Sequence, residues 1–190
     1  MFINWRQKEL YFKIVYYGPP LSGKTTNLEV IHTRIPSTKR GKLVSVKTDE
    51  DRTLFFDFME MELNDIQGLK PKFKLYTVPG QTYYASTRKL VMKDVDGLVF
   101  VADSSKNRMA INRHSFEEMK VQLAEMGYSL KDISLILQCN KQDLPGAVSA
   151  PVISRFLGIS HLHTISAVAT SGVGVMETLK KVIGDVVARH

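Results

Sequence analysis

Eight consecutive residues, Gly18-Pro19-Pro20-Leu21-Ser22-Gly23-Lys24-Thr25, set two glycines five positions apart and end on an ammonium and a hydroxyl. They satisfy the pattern G-x-x-x-x-G-K-[ST], directly after the run Lys13-Ile14-Val15-Tyr16-Tyr17 and directly before a helical segment. A loop of this kind wraps phosphates. Backbone N–H groups from Gly18, Leu21, Ser22, Gly23 and the following Thr26, together with the positive end of the helix, face the oxyanions. Lys24 is expected to reach the β- and γ-phosphates, and the Thr25 hydroxyl to ligand Mg²⁺. The Pro19-Pro20 pair stiffens the first half of the loop, because each ring fixes its own φ and Pro20 pushes Pro19 toward extended geometry. It also brings a ring toward the place where a terminal phosphate and an attacking water would meet, so turnover can change while binding survives.

A second group, Asn140-Lys141-Gln142-Asp143, follows the apolar run that ends at Cys139. This puts it at a carboxyl end of the sheet, where open α/β sheets bind ligands. The Asp143 carboxylate is acceptor-only and can receive the N1–H and exocyclic N–H of guanine, whereas adenine offers an acceptor at N1. The pair of motifs therefore predicts a guanine nucleotide. Cys139 reads as a buried strand residue, and His161 and His163, alternating on an expected strand with no second cluster of metal-type ligands, read as packing or surface groups.

The elements that must hold these groups alternate between apolar runs and helical patterns, the reading of an α/β domain with a mostly parallel sheet and helices on both faces. Strands are expected near Leu10–Tyr17, Leu43–Thr48, Thr53–Leu63, Phe73–Val78, Gly97–Asp103, Ile133–Asn140 and His161–Ile165. Helices are expected after Gly23, over Met109–Met126 and Val152–Leu157, and from Gly174 to Ala188, where Val175, Leu179, Val182, Ile183 and Val186 share one face. The short polar connection Asn64–Lys70 with Gly68 predicts an antiparallel hairpin, and so a sheet mixed at one edge. Phe2–Trp5 is read as a short extra strand, with Trp5 a packing residue.

At 190 residues the chain fits one domain, 1–190. A single cysteine and no secretory pattern predict a cytoplasmic protein. No apolar run approaches the roughly 20 residues of a membrane span, and neither end reads as a lipidation signal, so no direct membrane anchor is expected. The net charge of +7 is spread over clusters such as Lys39, Arg40 and Lys42, without a nucleic-acid signature. No nucleic-acid partner is expected.

The combination GPPLSGKTT, TVPGQ, NKQD and SA resembles the Ras-like small GTPases over nearly the whole chain. Within them KIVYYGP, DRTLFFDF, LYTVPGQ, RKL, VDGLVFVADS and NKQDLP resemble the bacterial gliding-motility GTPases of the MglA type, which set cell polarity. The resemblance implies a Ras-like G domain that binds GTP and GDP with Mg²⁺ and hydrolyses GTP slowly on its own. It implies that Asn140 braces base and loop, that the stem of Lys141 lies over the ring, and that the loop at Ser166-Ala167 contacts the guanine oxygen through the Ala167 N–H. Gly80 matches the glycine that binds the γ-phosphate, Gln81 the glutamine that orients the attacking water, and Thr53 the threonine that adds a second hydroxyl to Mg²⁺. Arg52 matches the arginine that this bacterial family supplies from its own chain as a charge-stabilising finger, against a plain surface arginine. The expected partners are a roadblock-domain GTPase-activating protein of the MglB type, as a homodimer, and effectors, with recruitment to a pole or membrane through them.

One position departs from the wider Ras-like pattern. Thr77 stands where the aspartate of D-x-x-G is usual, a trait the gliding-motility proteins share. A threonine hydroxyl can help hold a metal-bound water but brings no charge. Asp57, on the neighbouring expected strand, is open to two readings, a compensating carboxylate acting through water or a surface hydrogen-bonding group. The run Leu54, Phe55, Phe56, Phe58, Met59 and Met61 is likewise open to core packing alone or core plus partner contacts. Pro20 and Thr77 leave a rival function standing, a nucleotide-binding scaffold with negligible hydrolysis.

Overall fold

A computed structural model describes residues 1–47, 53–65, 68–80 and 84–190; the side chains of residues 46, 47 and 53–55 are not described. The chain builds an eight-stranded sheet among these residues: β1 (Phe2–Asn4), β2 (Glu9–Tyr17), β3 (Val44–Lys47), β4 (Thr53–Glu62), β5 (Lys70–Thr77), β6 (Gly97–Asp103), β7 (Ser134–Asn140) and β8 (Thr164–Ser166). The order is β3-β4-β5-β2-β6-β7-β8, with β1 antiparallel to the start of β2. From β5 through β8 neighbouring strands run parallel, and β3 and β4 are antiparallel at one edge. The mixed edge, the hairpin before β5 and the N-terminal strand all match expectation.

Five helices cover the sheet: α1 (Lys24–Arg34), α2 (Ala85–Met92), α3 (Met109–Glu125), α4 (Ala150–Phe156) and α5 (Val175–Arg189). Alternation along the strands sorts the core. Phe12, Ile14 and Tyr16 of β2 face α1 and α5 with Leu28, Ile31, Leu179 and Val182. Val15 and Tyr17 face the other way, onto Val91, Phe116, Met119 and Ile153 of α2, α3 and α4. Gln138, fully buried on β7, donates through Nε2 to Asn27 Oδ1 and Thr178 Oγ1, both at 2.9 Å, which fastens α1 and α5 to the sheet.

Several local expectations change. Helix α2 has no place in the sequence reading, because its eight residues show only Arg88, Val91 and Met92 buried, too short an apolar stripe to register as a period. Strand β5 starts at Lys70 rather than Phe73, since Lys70 to Lys72 continue the parallel register with Glu9 to Tyr11. His161 and His163 precede β8, which begins at Thr164, and are not strand residues. Trp5 sits in the turn after β1 with 72% of its surface exposed, so it is not a packing residue.

Candidate functional site

β2 delivers the chain to the point where the sheet's connections reverse direction, toward β3–β5 on one side and β6–β8 on the other, and the loop after it is the phosphate-type loop. Leu21 holds a left-handed backbone (φ 63°), which costs a non-glycine residue about 1–2 kcal/mol. Strain kept in a loop of this composition marks a geometry fixed in advance of its ligand. Gly23, at φ 99°, turns the chain into α1. A Cβ there would lie 2.2 Å from Asn140 Nδ2, so glycine is needed on steric grounds as well.

Lys24 is buried and donates through Nζ to the carbonyl oxygens of Gly18 (2.9 Å) and Pro19 (2.8 Å). Burial brings its pKa down to about 7; the Asp57 charge works against that fall, while Arg88 and Arg108 add to it. A cation under such pressure gains most when polyanionic oxygens arrive. Thr25, one residue on, donates from Oγ1 to Asp57 Oδ2 at 2.6 Å.

Asp57 is the centre of this half of the site. It is fully buried, which removes the reading of a surface hydrogen-bonding group. The register places Ser45 on one side of it, and one residue on from the Phe58–Tyr76 pair, Thr77 on the other. Its Oδ2 also accepts Thr77 Oγ1 at 2.7 Å, its Oδ1 accepts the Ser45 hydroxyl, and its own N–H donates to Thr77 Oγ1 at 2.9 Å. One carboxylate thus gathers hydroxyls from α1, β3 and β5 directly beside the phosphate loop. The aspartate absent at position 77 is present on the next strand. Oxygen donors of this hardness suit Mg²⁺, and a buried carboxylate whose described partners are all hydroxyls is suited to a nearby cation.

Gly80 lies against the phosphate loop: a Cβ would come within 2.5 Å of Pro20 N and Cα. That contact excludes any side chain at position 80. Thr53 opens β4, but its side chain, like Arg52 and Gln81 altogether, lies outside the described residues. Within the run Leu54 to Met61, Met59 and Met61 are buried in the core, while Phe56 and Phe58 are half-buried against Tyr76.

The other half of the site hangs from β6 and β7. Asn140 is buried; its Nδ2 donates to Ser22 O and its Oδ1 accepts the Ala169 N–H, each at 2.8 Å. One amide thereby fastens the phosphate loop to the loop after β8. Lys141, at φ 68°, donates through Nζ to Asp103 Oδ2 at 2.7 Å. Burial disfavours the charged form of Asp103, but the hydrogen bonds of Lys141 and Ser105 together outweigh it and hold the carboxyl below its usual range. Asp143 is exposed at the mouth of this half. Ser166 ends β8, and the Ala167 N–H donates to Cys139 O at 2.8 Å, so in this structure it serves the sheet. The N–H groups of Val168, Ala169, Ser171 and Gly172 also have acceptors. Cys139 is buried as expected, and burial pushes its thiol up to about 12.

Four residues here had no sequence assignment. Ser45 is one of the Asp57 hydroxyls. Asp103 and Arg108 connect the halves: Arg108 donates from Nη2 to Pro20 O at 2.7 Å and its Nε lies 3.8 Å from Asp103 Oδ2. Arg88 of α2 is buried, with Nη1 toward Pro79 O (3.5 Å) and Nη2 on Glu118 Oε1 (3.3 Å). Arg88 belongs to the RKL run that carries the resemblance, but only its tertiary partners reveal what it holds.

Compared with known proteins, residues 1–186 match the profile of the ADP-ribosylation factor family. The chain is 50% identical over 181 residues to mutual gliding-motility protein MglA of Myxococcus xanthus (strain DK1622), covering 95% of this chain and 93% of that protein. It is 30% identical over 194 residues to ADP-ribosylation factor-like protein 2 of Drosophila melanogaster (97% and 92% covered) and 26% identical over 189 residues to the protein of that name in Dictyostelium discoideum (97% and 92% covered).

Proposed function

The chain belongs to the ADP-ribosylation factor family of Ras-like small GTPases, and on that premise we propose that it is a polarity and motility switch whose Mg²⁺ is supported by Asp57 in place of an aspartate at position 77. It is a GTP-binding and GTP-hydrolysing protein of the gliding-motility kind. The observation that carries the finer reading is the buried Asp57, shared by the hydroxyls of Thr25, Ser45 and Thr77 beside Lys24.

In this reading Lys24 leaves the carbonyls of Gly18 and Pro19 to neutralise the β- and γ-phosphates, and Gly80 gives its N–H to the γ-phosphate. Thr25 and Thr53 would hold Mg²⁺ directly and Asp57 would hold one of its waters. The ion, when bound, would supply positive charge to offset that of the phosphates. Asp143 accepts from the guanine N1–H and exocyclic N–H, and Asn140 keeps base loop and phosphate loop at fixed separation. Gln81 orients the attacking water and Arg52 stabilises charge on the transferring phosphoryl group. A roadblock-domain homodimer orders those two residues without inserting an arginine of its own. Among the described residues no helix is long and apolar enough to cross a membrane.

The test is GTP turnover by the purified protein, alone and titrated with a roadblock-domain partner. Slow basal release of phosphate, strongly stimulated by the partner and lowered about 10³-fold or more by Arg52→Ala, is the expected result. No release with or without partner, while GTP is still bound, would instead make the chain a recruiting scaffold. Stimulation that survives Arg52→Ala intact would remove the internal finger.

A further inference from the structure

The sheet end opposite the nucleotide loops carries a second polar cavity of about 850 Å³, lined on its polar side by Lys131, Ser134, His161, His163, Lys181 and Arg189. We propose that it binds a phosphorylated ligand bearing an apolar group, at a site separate from the nucleotide loops. β7 runs from Ser134 at this cavity to Asn140 at the base loop, a separation of about 20 Å at the usual rise of a strand. One bound molecule cannot span both places.

Charge comes first. Lys131, Lys181 and Arg189 are set against the carboxylates of Asp185 and of Asp132, whose charge Arg189 feels, a surplus of one positive charge before either histidine is counted. α5 ends here, but its C-terminal carbonyls amount to about half a negative charge and do not cancel that surplus. Internal pairing does not consume it either. Asp185 is taken by Lys181, and Arg189 gives Nη1 to Lys131 O at 2.6 Å, leaving its other donors. The side chains of Lys131, His161 and His163 make no hydrogen bond or ion pair with any described residue.

The floor is the second observation. Ser134 is 4% exposed and its hydroxyl has no hydrogen-bond partner among the described residues. A buried hydroxyl left unpaired is costly, and a turn of the Ser134 side chain toward the cavity would let an oxyanion pair with it and relieve that cost. Beside it Ile133, Leu135 and Leu162 make an apolar wall. A cavity of this size fits a small organic molecule rather than a bare ion. Phosphate on the cationic rim with a hydrocarbon portion against the wall satisfies both faces, and a lipid headgroup or a soluble phosphomonoester would each present that chemistry.

The experiment uses ¹⁵N-labelled full-length protein loaded with GDP, so that the nucleotide loops are occupied. It is titrated with hexyl phosphate, a soluble phosphomonoester with a hydrocarbon chain, and in parallel sedimented with phosphatidylcholine vesicles with and without phosphatidic acid. Binding in either arm supports the site: shifts of the Ser134, His161 and His163 amides with Gly23 and Asn140 unmoved identify a soluble source, and sedimentation that depends on phosphatidic acid identifies a lipid source. In the arm that responds, Lys131→Glu should weaken binding by about tenfold or more. Ser134→Ala should weaken it less, with no loss of thermal stability, because the hydroxyl it removes has no partner to lose. No response in either arm overturns the proposal, as does a response that Lys131→Glu and the Lys131→Glu/Lys181→Glu double variant leave unchanged.

Discussion

The two halves of the nucleotide site are built on different kinds of sheet. On the base side, every residue of β6 and β7 is buried, the strands are parallel, and one amide, Asn140, fixes the distance between loops. On the phosphate side, β5 alternates buried with half-exposed residues and pairs with an antiparallel edge, and the central carboxylate is held by hydroxyls from three elements. Recognition of the base thus rests on packing that tolerates little change. The hydroxyl cluster at Asp57, where we propose metal support, rests on one register, Ser45–Asp57 and its neighbour Thr77, which a shift of the edge hairpin would take apart.

The largest effect that would test this division is Lys24→Ala. Two charge-assisted hydrogen bonds of about 1.5–3 kcal/mol each correspond to a loss of about 10²–10⁴ in GTP affinity, readable by calorimetry. Guanine over adenine preference should persist in whatever binding remains, because the base half is untouched. Loss of the preference along with affinity would break the separation of the halves.

Asp57→Asn comes next and acts on one half alone. Removing the charge that supports a metal-bound water typically costs about 10–100-fold in metal affinity, so the Mg²⁺ needed for half-maximal turnover should rise by that factor while GDP affinity without metal stays unchanged. Thr77→Asp sharpens the point. It would put a second carboxylate within hydrogen-bond distance of Asp57 in a buried site, where two like charges cannot both ionise easily. Its thermal stability should fall in the absence of Mg²⁺ and recover with it, whereas a fall that Mg²⁺ leaves uncorrected would place the metal elsewhere.

A smaller, structural effect marks the base half. Asn140→Ala leaves Ser22 O and the Ala169 N–H without partners, at about 1–3 kcal/mol for each buried group, and the melting temperature should fall even without nucleotide. An unchanged melting temperature would mean the two loops are held by something other than this amide.

The same contrast explains what could be read from the sequence. Lys24, Thr25, Asn140 and Asp143 lie in short contiguous motifs after apolar runs, so their chemistry and their place on the sheet were visible together. The fold followed from those runs, including the mixed edge. Asp57 was visible only as a possibility, because its role depends on which residues stand opposite it on β3 and β5, and no local pattern encodes register at an edge of alternating exposure. No role was visible for Ser45, Asp103, Arg88 or Arg108, since each acts through a partner distant in the chain. The Ala167 N–H bond to Cys139 O was hidden for a related reason: the motif fixes the loop, but the acceptor of each N–H is set by where the adjoining strand stops pairing.

The smallest expected effect concerns a proton on Lys24. Burial takes its pKa from 10.5 to about 7, so between those values the nucleotide-free fold holds Lys24 neutral while the unfolded chain keeps it charged. The unfolded state binds more protons across that window, and stability without nucleotide should rise as pH increases from about 7 toward 10.5. GTP reverses the pressure, because phosphate oxygens favour the ammonium, and binding near pH 8.5 should take up close to one proton, about what a pKa raised from 7 to well above that pH requires. Calorimetry in buffers of different ionisation enthalpy reads that uptake directly. Lys24→Arg, charged at every accessible pH, should still bind and take up none. Equal uptake by the two proteins would assign the proton to another group and leave Lys24 charged before GTP arrives.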